Sequence, residues 1–428
     1  MSESLPHPDT PERQFAVNVV SRLREAGYEA LWAGGCVRDE LLGITPKDFD
    51  VATTATPQQV IELFGTRKTV PVGVSFGVVI VLGPSRQCGQ IEVATFRADG
   101  EYLDGRRPSE VQFCSAEEDA RRRDFTINGM FYDPVSQSVI DYVGGREDLE
   151  KQIVRAIGDP TARFTEDKLR MLRAVRFAAT YRFTLESATG EAVRSLATEI
   201  SQVSMERITQ ELRRMLAHET RAVSVANLVA VGLFAQLFPG VDCSSIQLQP
   251  AFNSLQSILK SLSGNRFEPA FAAVLSLTNL NRLNERTNTH DVAAECKRFK
   301  MSNDELQCIT WLMTSAADCT GAGLRPLHVI KPIVVDNRFP LLLDLLQAIE
   351  EHHPDADFLR QYRAQTSDEV LAPEALIGGQ ALKNMGVEPG PEFKRILTAI
   401  RNEQLDEQLH TKADAISRAK ELQHSAAE

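Results

Sequence analysis

Residues 11–27, PERQFAVNVVSRLREAG, carry apolar side chains three and four positions apart behind a proline-containing start, and they end on Gly27. That rhythm lines one side of a 3.6-residue helix, so an amphipathic helix is predicted. EALWAGG reads as a short strand running into a glycine turn, and CVRDELLG as a helix that opens after it. DFDVATTA, VSFGVVIVLG and QIEVATFR are β-branched runs bounded by turn residues, which predicts strands. Between them, TPQQVIELFG starts with Thr-Pro and keeps helical spacing. The head of the chain is therefore predicted to mix α and β.

From about residue 160 the strand signals disappear. FTEDKLRMLRAVRFAATYRF, GEAVRSLATEIS, SMERITQELRRMLAH and VANLVAVGLFAQLF all have helical periodicity. The helical pattern continues to residue 428, broken near Pro250, Gly264, Pro354 and the Pro389–Pro391 stretch, with no convincing repeat. An α+β head followed by a long helical body is the predicted architecture.

Composition narrows the classes. A 43% hydrophobic and 25% charged chain is ordinary globular composition, and 428 residues predict several domains. No apolar run approaches the roughly 18 residues of a membrane span, so no membrane partner is expected. The start, MSESLPHPDTPERQ, lacks the apolar segment of a secretory signal, which predicts a cytoplasmic protein. Seven cysteines form no CxxC pair and read as reduced, packed thiols. A net charge of −11 argues against nucleic acid as a partner, but its distribution does not. Arg163, Lys168, Arg170, Arg173 and Arg176 face only Glu166 and Asp167 in a short segment, and such a local basic strip suits RNA.

The densest chemistry lies in LWAGGCVRDELLGITPKDFDVATTA. Asp48 and Asp50 stand one residue apart. On a strand both carboxylates would share a face about 6–7 Å apart. Two like charges there repel unless a cation lies between them, and Mg²⁺ suits hard oxygen ligands while leaving positions for phosphates. Taken alone, an Asp-x-Asp pair is more often a solvated strand face. Upstream, Gly34 and Gly35 allow close backbone approach, a helix N-terminus after a glycine turn favours phosphate, and Arg38 adds charge for a triphosphate. Glu92 in QIEVATFR is the candidate third carboxylate, on a strand able to pair beside the first.

In EEDARRRDFTINGM, Arg123 is the candidate for a triphosphate or ribose contact, with Asp124 and Asn128 following; the competing reading is an Arg–Asp pair bracing a helix start. In FTEDKLRMLRAVRF, Asp167, Arg170, Arg173 and Arg176 fall at steps of three. Asp167 and Arg170 would be neighbours on one helical face, an acceptor beside a forked donor. That array complements cytosine and adenine, while guanine and uracil present a donor at the ring nitrogen where Arg170 also donates. Arg176 falls on the far side of a straight helix from Asp167. The competing reading of the stripe is a salt-bridged helix face, with Glu166 reaching Arg170.

These motifs in this order, together with IEVATFRADGEYLDGRRP, GDPTARFTEDKLRMLRAVRFAA and MERITQELRRML, resemble the class II tRNA nucleotidyltransferase and bacterial poly(A) polymerase family over residues 30–216. The resemblance implies a polymerase-beta-like head over 1–157, a helical neck over 158–225, a body over 226–345 and a tail over 346–428. It implies Mg²⁺ on Asp48 and Asp50, and nucleotide contacts at Gly35, Arg38, Arg123, Asp167, Arg170, Arg173 and Arg176. It implies in-line attack of an RNA 3′-hydroxyl on the α-phosphate of CTP or ATP, with Glu92 beside the two aspartates. Within the family, RADGEYLDGRRPSEV resembles the loop used in switching from C to A addition. ALIGGQALKNMGVEPGPEFKRILTAIRNEQLDEQ resembles the tail that meets tRNA, with Lys394 or Arg395 placed for a phosphate. CCA addition is therefore expected; poly(A) addition and CC-only or A-only addition are the alternatives, and a non-catalytic RNA-binding protein a distant one. The His290-Asp291 pair lacks further His/Asp spacing, so no phosphohydrolase activity is expected.

Overall fold

The computed structural model describes residues 10–73, 77–99, 111–239, 249–277 and 289–424. The chain divides into two compact units, Met1–Met215 with Val223–Leu237, and Leu216–Ala222 with Phe238–Glu428.

The first unit opens with helix α1 (Pro11–Glu25), whose Thr10 side chain caps the Arg13 amide. Strand β1 (Ala30–Ala33) leads into helix α2 (Gly35–Leu41), and β2 (Asp50–Thr53) into α3 (Pro57–Phe64), which Thr56 and Gln59 close with a reciprocal capping box. Strands β3 (Thr69–Gly73), β4 (Val78–Leu82) and β5 (Gln90–Thr95) follow. β6 (Arg97–Asp99) pairs with β7 (Val111–Phe113) in a small separate sheet. The expected C-to-A switching loop falls between them, and its residues 100–110 lie outside the described residues. Helix α4 (Ala116–Arg121) precedes β8 (Phe131–Asp133) and β9 (Ser138–Ile140).

Seven strands form one sheet in the order β3-β4-β5-β2-β1-β8-β9. Only β2 and β5 run parallel, in a register that sets Asp50 directly beside Glu92. Every residue of β1 is buried, because both faces of the sheet are covered. Leu31 and Ala33 pack with Phe96, Phe131 and the α4 alanines 116 and 120. Trp32 points the other way, tilted against Phe49 and Tyr132 under the guanidinium of Arg13 from α1. The sheet is thus held rigid beneath the carboxylates on its rim.

Helix α5 (Gly145–Glu150) locks the turn Thr126–Asn128 in place. Thr126 Oγ1 donates to Asp148 Oδ2 at 2.7 Å. A Cβ at Gly145 would stand 2.2 Å from the Thr126 carbonyl oxygen, so only glycine permits this approach.

Then come β10 (Ile153–Val154), α6 (Pro160–Glu166) and α7 (Leu169–Tyr181). The sequence predicts no strand beyond residue 160, but β11 (Thr184–Leu185) pairs in parallel with β10. Its two residues are too few to show alternation. Helices α8 (Ser187–Leu196) and α9 (Met205–Leu216) follow.

In the second unit the secondary structure of the described residues is helical. Phe238, Phe267, Phe271 and Phe299 form an aromatic core. A second cluster gathers Leu382, Ile396, Ile400, Ala415 and Ala419. In the tail motif, Arg395 bonds Glu392 and the Leu422 carbonyl. It therefore braces two tail helices in this structure, a use the sequence did not predict. His290 lies in helix Thr289–Arg298, with its side chain outside the described residues. Cys36, Cys88, Cys114, Cys296, Cys308 and Cys319 are free thiols, and Cys243 lies outside the described residues. No described helix is long and apolar enough to cross a membrane.

Gly145→Ala should lower the stability of the first unit by roughly 1–3 kcal/mol through overpacking. A thermal melt checks this, and an unchanged midpoint contradicts the packing of α5 on the Thr126 turn.

Candidate active site

One cleft of 520 Å³ in the first unit is lined by Gly34, Gly35, Arg38, Asp50, Glu92, Arg123, Asp124, Asn128, Asp167, Arg170, Arg173 and Arg207, among others. It spans the sheet rim at one end and helix α7 at the other. That volume suits a nucleotide-sized ligand.

At the sheet end, Asp50 opens β2 and faces Glu92 across the parallel pair. Burial, then the charges of Glu92 and Asp48, push the Asp50 carboxyl up to about 7, with Arg123 pulling the other way. Asp48 does not extend this strand. It sits exposed on the bend before it, because β2 starts only at Asp50, and it lines a neighbouring pocket with Arg13, Glu40 and Lys47. The sequence expectation of two aspartates on one strand face is corrected accordingly. Among the described residues no three His, Cys, Asp or Glu side chains close into a metal cage. The donor set nevertheless fits a hard divalent cation: all its atoms are carboxylate oxygens, and Asp50 bears like charges that a cation would relieve.

Next to the carboxylates, Gly34 takes φ +72° as it turns β1 into α2. A Cβ there would come within 2.8 Å of Arg123 Nη1. Arg123 is held by Asp119 Oδ2 at 2.8 and 3.1 Å and lies over the Phe131 ring. Arg123 thus does pair with an aspartate, but from just past the end of α4 back to Asp119 within it rather than at a helix start, and the same side chain lines the cleft. Arg38 is only 6% exposed. It bonds Asp39 at 2.8 Å, bonds Asn128 Oδ1, and stacks over Tyr181.

Asn128 donates in turn to Asp124 Oδ1 at 3.0 Å, and Arg173 Nε donates to Asp124 Oδ2 at 2.7 Å. Burial alone would raise the Asp124 carboxyl; Arg173 and the Asn128 amide overcome that and hold it at about 2. Tyr181 closes the ring by donating to Asp39 at 3.0 Å. Helix α2 and helix α7 are therefore clamped together through buried polar groups.

At the helix end, Asp167, Arg170, Arg173 and Arg176 do not share one continuous helix. The helix breaks at Asp167, which is extended (φ −144°, ψ 103°) between α6 and α7. Its Oδ1 accepts the Leu169 amide at 3.1 Å, an Asp capping its own chain where the sequence shows only helical spacing. Arg207 from α9 grips Asp167 at 3.1 and 2.8 Å. Arg170 bonds Glu166 at 2.7 Å, the pair that competed with base reading in the sequence. Arg176 is not among the residues lining the cleft; it pairs with buried Glu211 at 2.6 Å. Arg207 and Glu211 lie within MERITQELRRML, where sequence alone assigns them no role. Their spacing of four gave the only available signal.

Since the Asp124 carboxyl lies lower folded than its ordinary value, it stabilises above pH 4 and loses that contribution as pH falls toward 2. The contribution at neutral pH is about 2 kcal/mol. Urea unfolding of Asp124→Asn should show a stability deficit at pH 7 that narrows at pH 3; a pH-independent deficit contradicts the charge role.

Comparisons with known proteins bear on the family and the fold. The model of the poly A polymerase head domain matches residues 30–155. A model described as the probable RNA and SrmB-binding site of polymerase A matches residues 182–244. The CCA-adding enzyme of Streptococcus gordonii is 32% identical over 408 residues, covering 95% of this chain and 96% of its own length. That of Bacillus subtilis is 43% identical over 226 residues, covering 53% and 55%. The crystal structure of the Bacillus stearothermophilus CCA-adding enzyme in complex with CTP superposes with a TM-score of 0.78 at 26% identity, covering 98% of this chain and 99% of that one. With the head, the helical second unit and a near full-length relative above 30% identity all in agreement, the chain belongs to the CCA-adding enzyme family of nucleotidyltransferases.

Proposed function

We propose that this chain adds C and A nucleotides to the 3′ end of tRNA from CTP and ATP, with protein side chains in place of a template. The observation that carries the reading is that a single cleft joins the Asp50–Glu92 pair to Asp167 and Arg170. One end suits phosphoryl chemistry and the other suits a base edge. The likeness to a relative solved with CTP supports a nucleotide in such a cleft.

In this reading the head is 1–157, the neck 158–225, the body 226–345 and the tail 346–428. Gly35, Arg38 and Arg123 face the triphosphate. Arg123 offers charge directly, and the Asp39, Asn128 and Tyr181 contacts of Arg38 keep that corner preorganised. Asp167 accepts the exocyclic amino group of cytosine or adenine, and Arg170 donates to the ring acceptors. Arg173 lines the cleft between the two ends. Arg176 supports α7 from outside the lining through Glu211.

The RNA 3′-hydroxyl oxygen forms a bond to the α-phosphorus and loses its proton to water, while the bond to the bridging oxygen breaks and pyrophosphate leaves with that electron pair. Asp50 and Glu92, with Asp48 from the bend before β2, would hold a divalent cation such as Mg²⁺, which would supply charge neutralisation for the phosphoryl transfer. The remaining work of the chain is positioning.

Two substitutions test the halves separately. Asp50→Ala should abolish nucleotide transfer while circular dichroism stays unchanged; retained transfer overturns the carboxylate assignment. Asp167→Ala should raise UTP and GTP incorporation relative to CTP and ATP by about ten- to a hundred-fold, the worth of one directional base contact. Unchanged rejection of UTP and GTP places base selection elsewhere.

A further inference from the structure

Asp167 and Arg170 have opposite charges three residues apart, and such neighbours attract. Paired with each other they would offer a base neither acceptor nor donor. Their side chains form no hydrogen bond or ion pair with each other among the described residues. Each is held by an outer partner instead. Arg207 takes both Asp167 oxygens, at 3.1 and 2.8 Å. Glu166 Oε2 and the Arg163 carbonyl accept from Arg170 Nη1 at 2.7 and 3.1 Å, and the Arg122 carbonyl from Nη2 at 3.3 Å.

The count of remaining groups is specific. A carboxylate has about four acceptor sites; Arg207 fills two and the Leu169 amide a third. A guanidinium has five N–H donors; three are engaged here. One acceptor and two donors are left over, the complement of a cytosine edge with one amino donor and two acceptors. We infer that Arg207 is a positioning residue for base selection: its fork holds Asp167 away from Arg170 and leaves one acceptor site open. This inference rests on the base-reading role proposed for Asp167. Arg207 reaches that site from α9, so nucleotide choice depends on how α9 is seated.

The test measures kcat and KM for CTP and UTP with the full-length enzyme on tRNA ending before CCA. In Arg207→Met the CTP-to-UTP ratio of kcat/KM should fall about ten-fold or more, chiefly through a higher KM for CTP. Arg207→Lys keeps the charge but lacks the fork, and should give an intermediate ratio. Added guanidinium ion should restore part of the ratio in Arg207→Ala, which lost packing alone would not allow. A ratio unchanged in both the Met and Lys variants overturns the inference, as does an equal loss for both nucleotides without guanidinium rescue. If Arg207→Met fails to fold, the Lys variant decides. Asp167→Ala is run beside them. If it leaves the ratio intact, the base-reading assignment itself fails and this inference with it; if it lowers the ratio while the Arg207 variants do not, only the positioning role falls.

Discussion

A buried carboxylate, Asp124, sets the shape of the cleft. It accepts from Arg173 on one side and Asn128 on the other, and Asn128 reaches Arg38. Arg38 lies against Tyr181, which returns to Asp39. A closed circuit thus binds the short helix beside the carboxylates to the helix that carries Arg170. A buried acid left without these donors would cost several kcal/mol, so the circuit tolerates little distortion. This fixes the distance between the two ends of the cleft, and the rigid sheet behind α2 passes that constraint on to Asp50.

The opposing element is charge left uncompensated at the sheet rim. The parallel pairing of β2 and β5 forces Asp50 against Glu92, with Asp48 close enough to add to the repulsion. Arg123 is the counter-charge acting on Asp50, and Asp119 already holds it. Stability would favour an apolar or paired residue at such a place; the proposed phosphoryl transfer would account for the acids, since developing negative charge on phosphate is relieved by a cation. The folded protein therefore keeps its polar groups satisfied around Asp124 and crowded around Asp50.

Much of this was legible in the sequence. β-branched runs marked β2, β4 and β5, and the glycine turn in EALWAGG marked the end of β1 and the start of α2, because those segments are long or sharply bounded. β8 and β9 were not, being three residues each and indistinguishable from a turn. The break at Asp167 was hidden for a different reason. Nothing in EDKLR is a helix breaker, and where the helix breaks the Asp167 side chain caps the Leu169 amide and is gripped by distant Arg207. Positions lining the cleft could be named one by one, and so could the local Glu166–Arg170 pair, whereas distant partners could not: the Arg207 grip on Asp167 spans forty residues, and Tyr181 to Asp39 spans far more. Long-range pairing of polar groups leaves no local pattern to read.

The most direct measurement is incorporation of labelled CTP and ATP into three tRNA transcripts, ending before CCA, after the first C and after CC, beside a generic RNA. Ordered completion to CCA on the tRNAs, with C added before A and little transfer to the generic RNA, is the predicted result. Long A tails on the generic RNA, or addition of one nucleotide type alone, would contradict it.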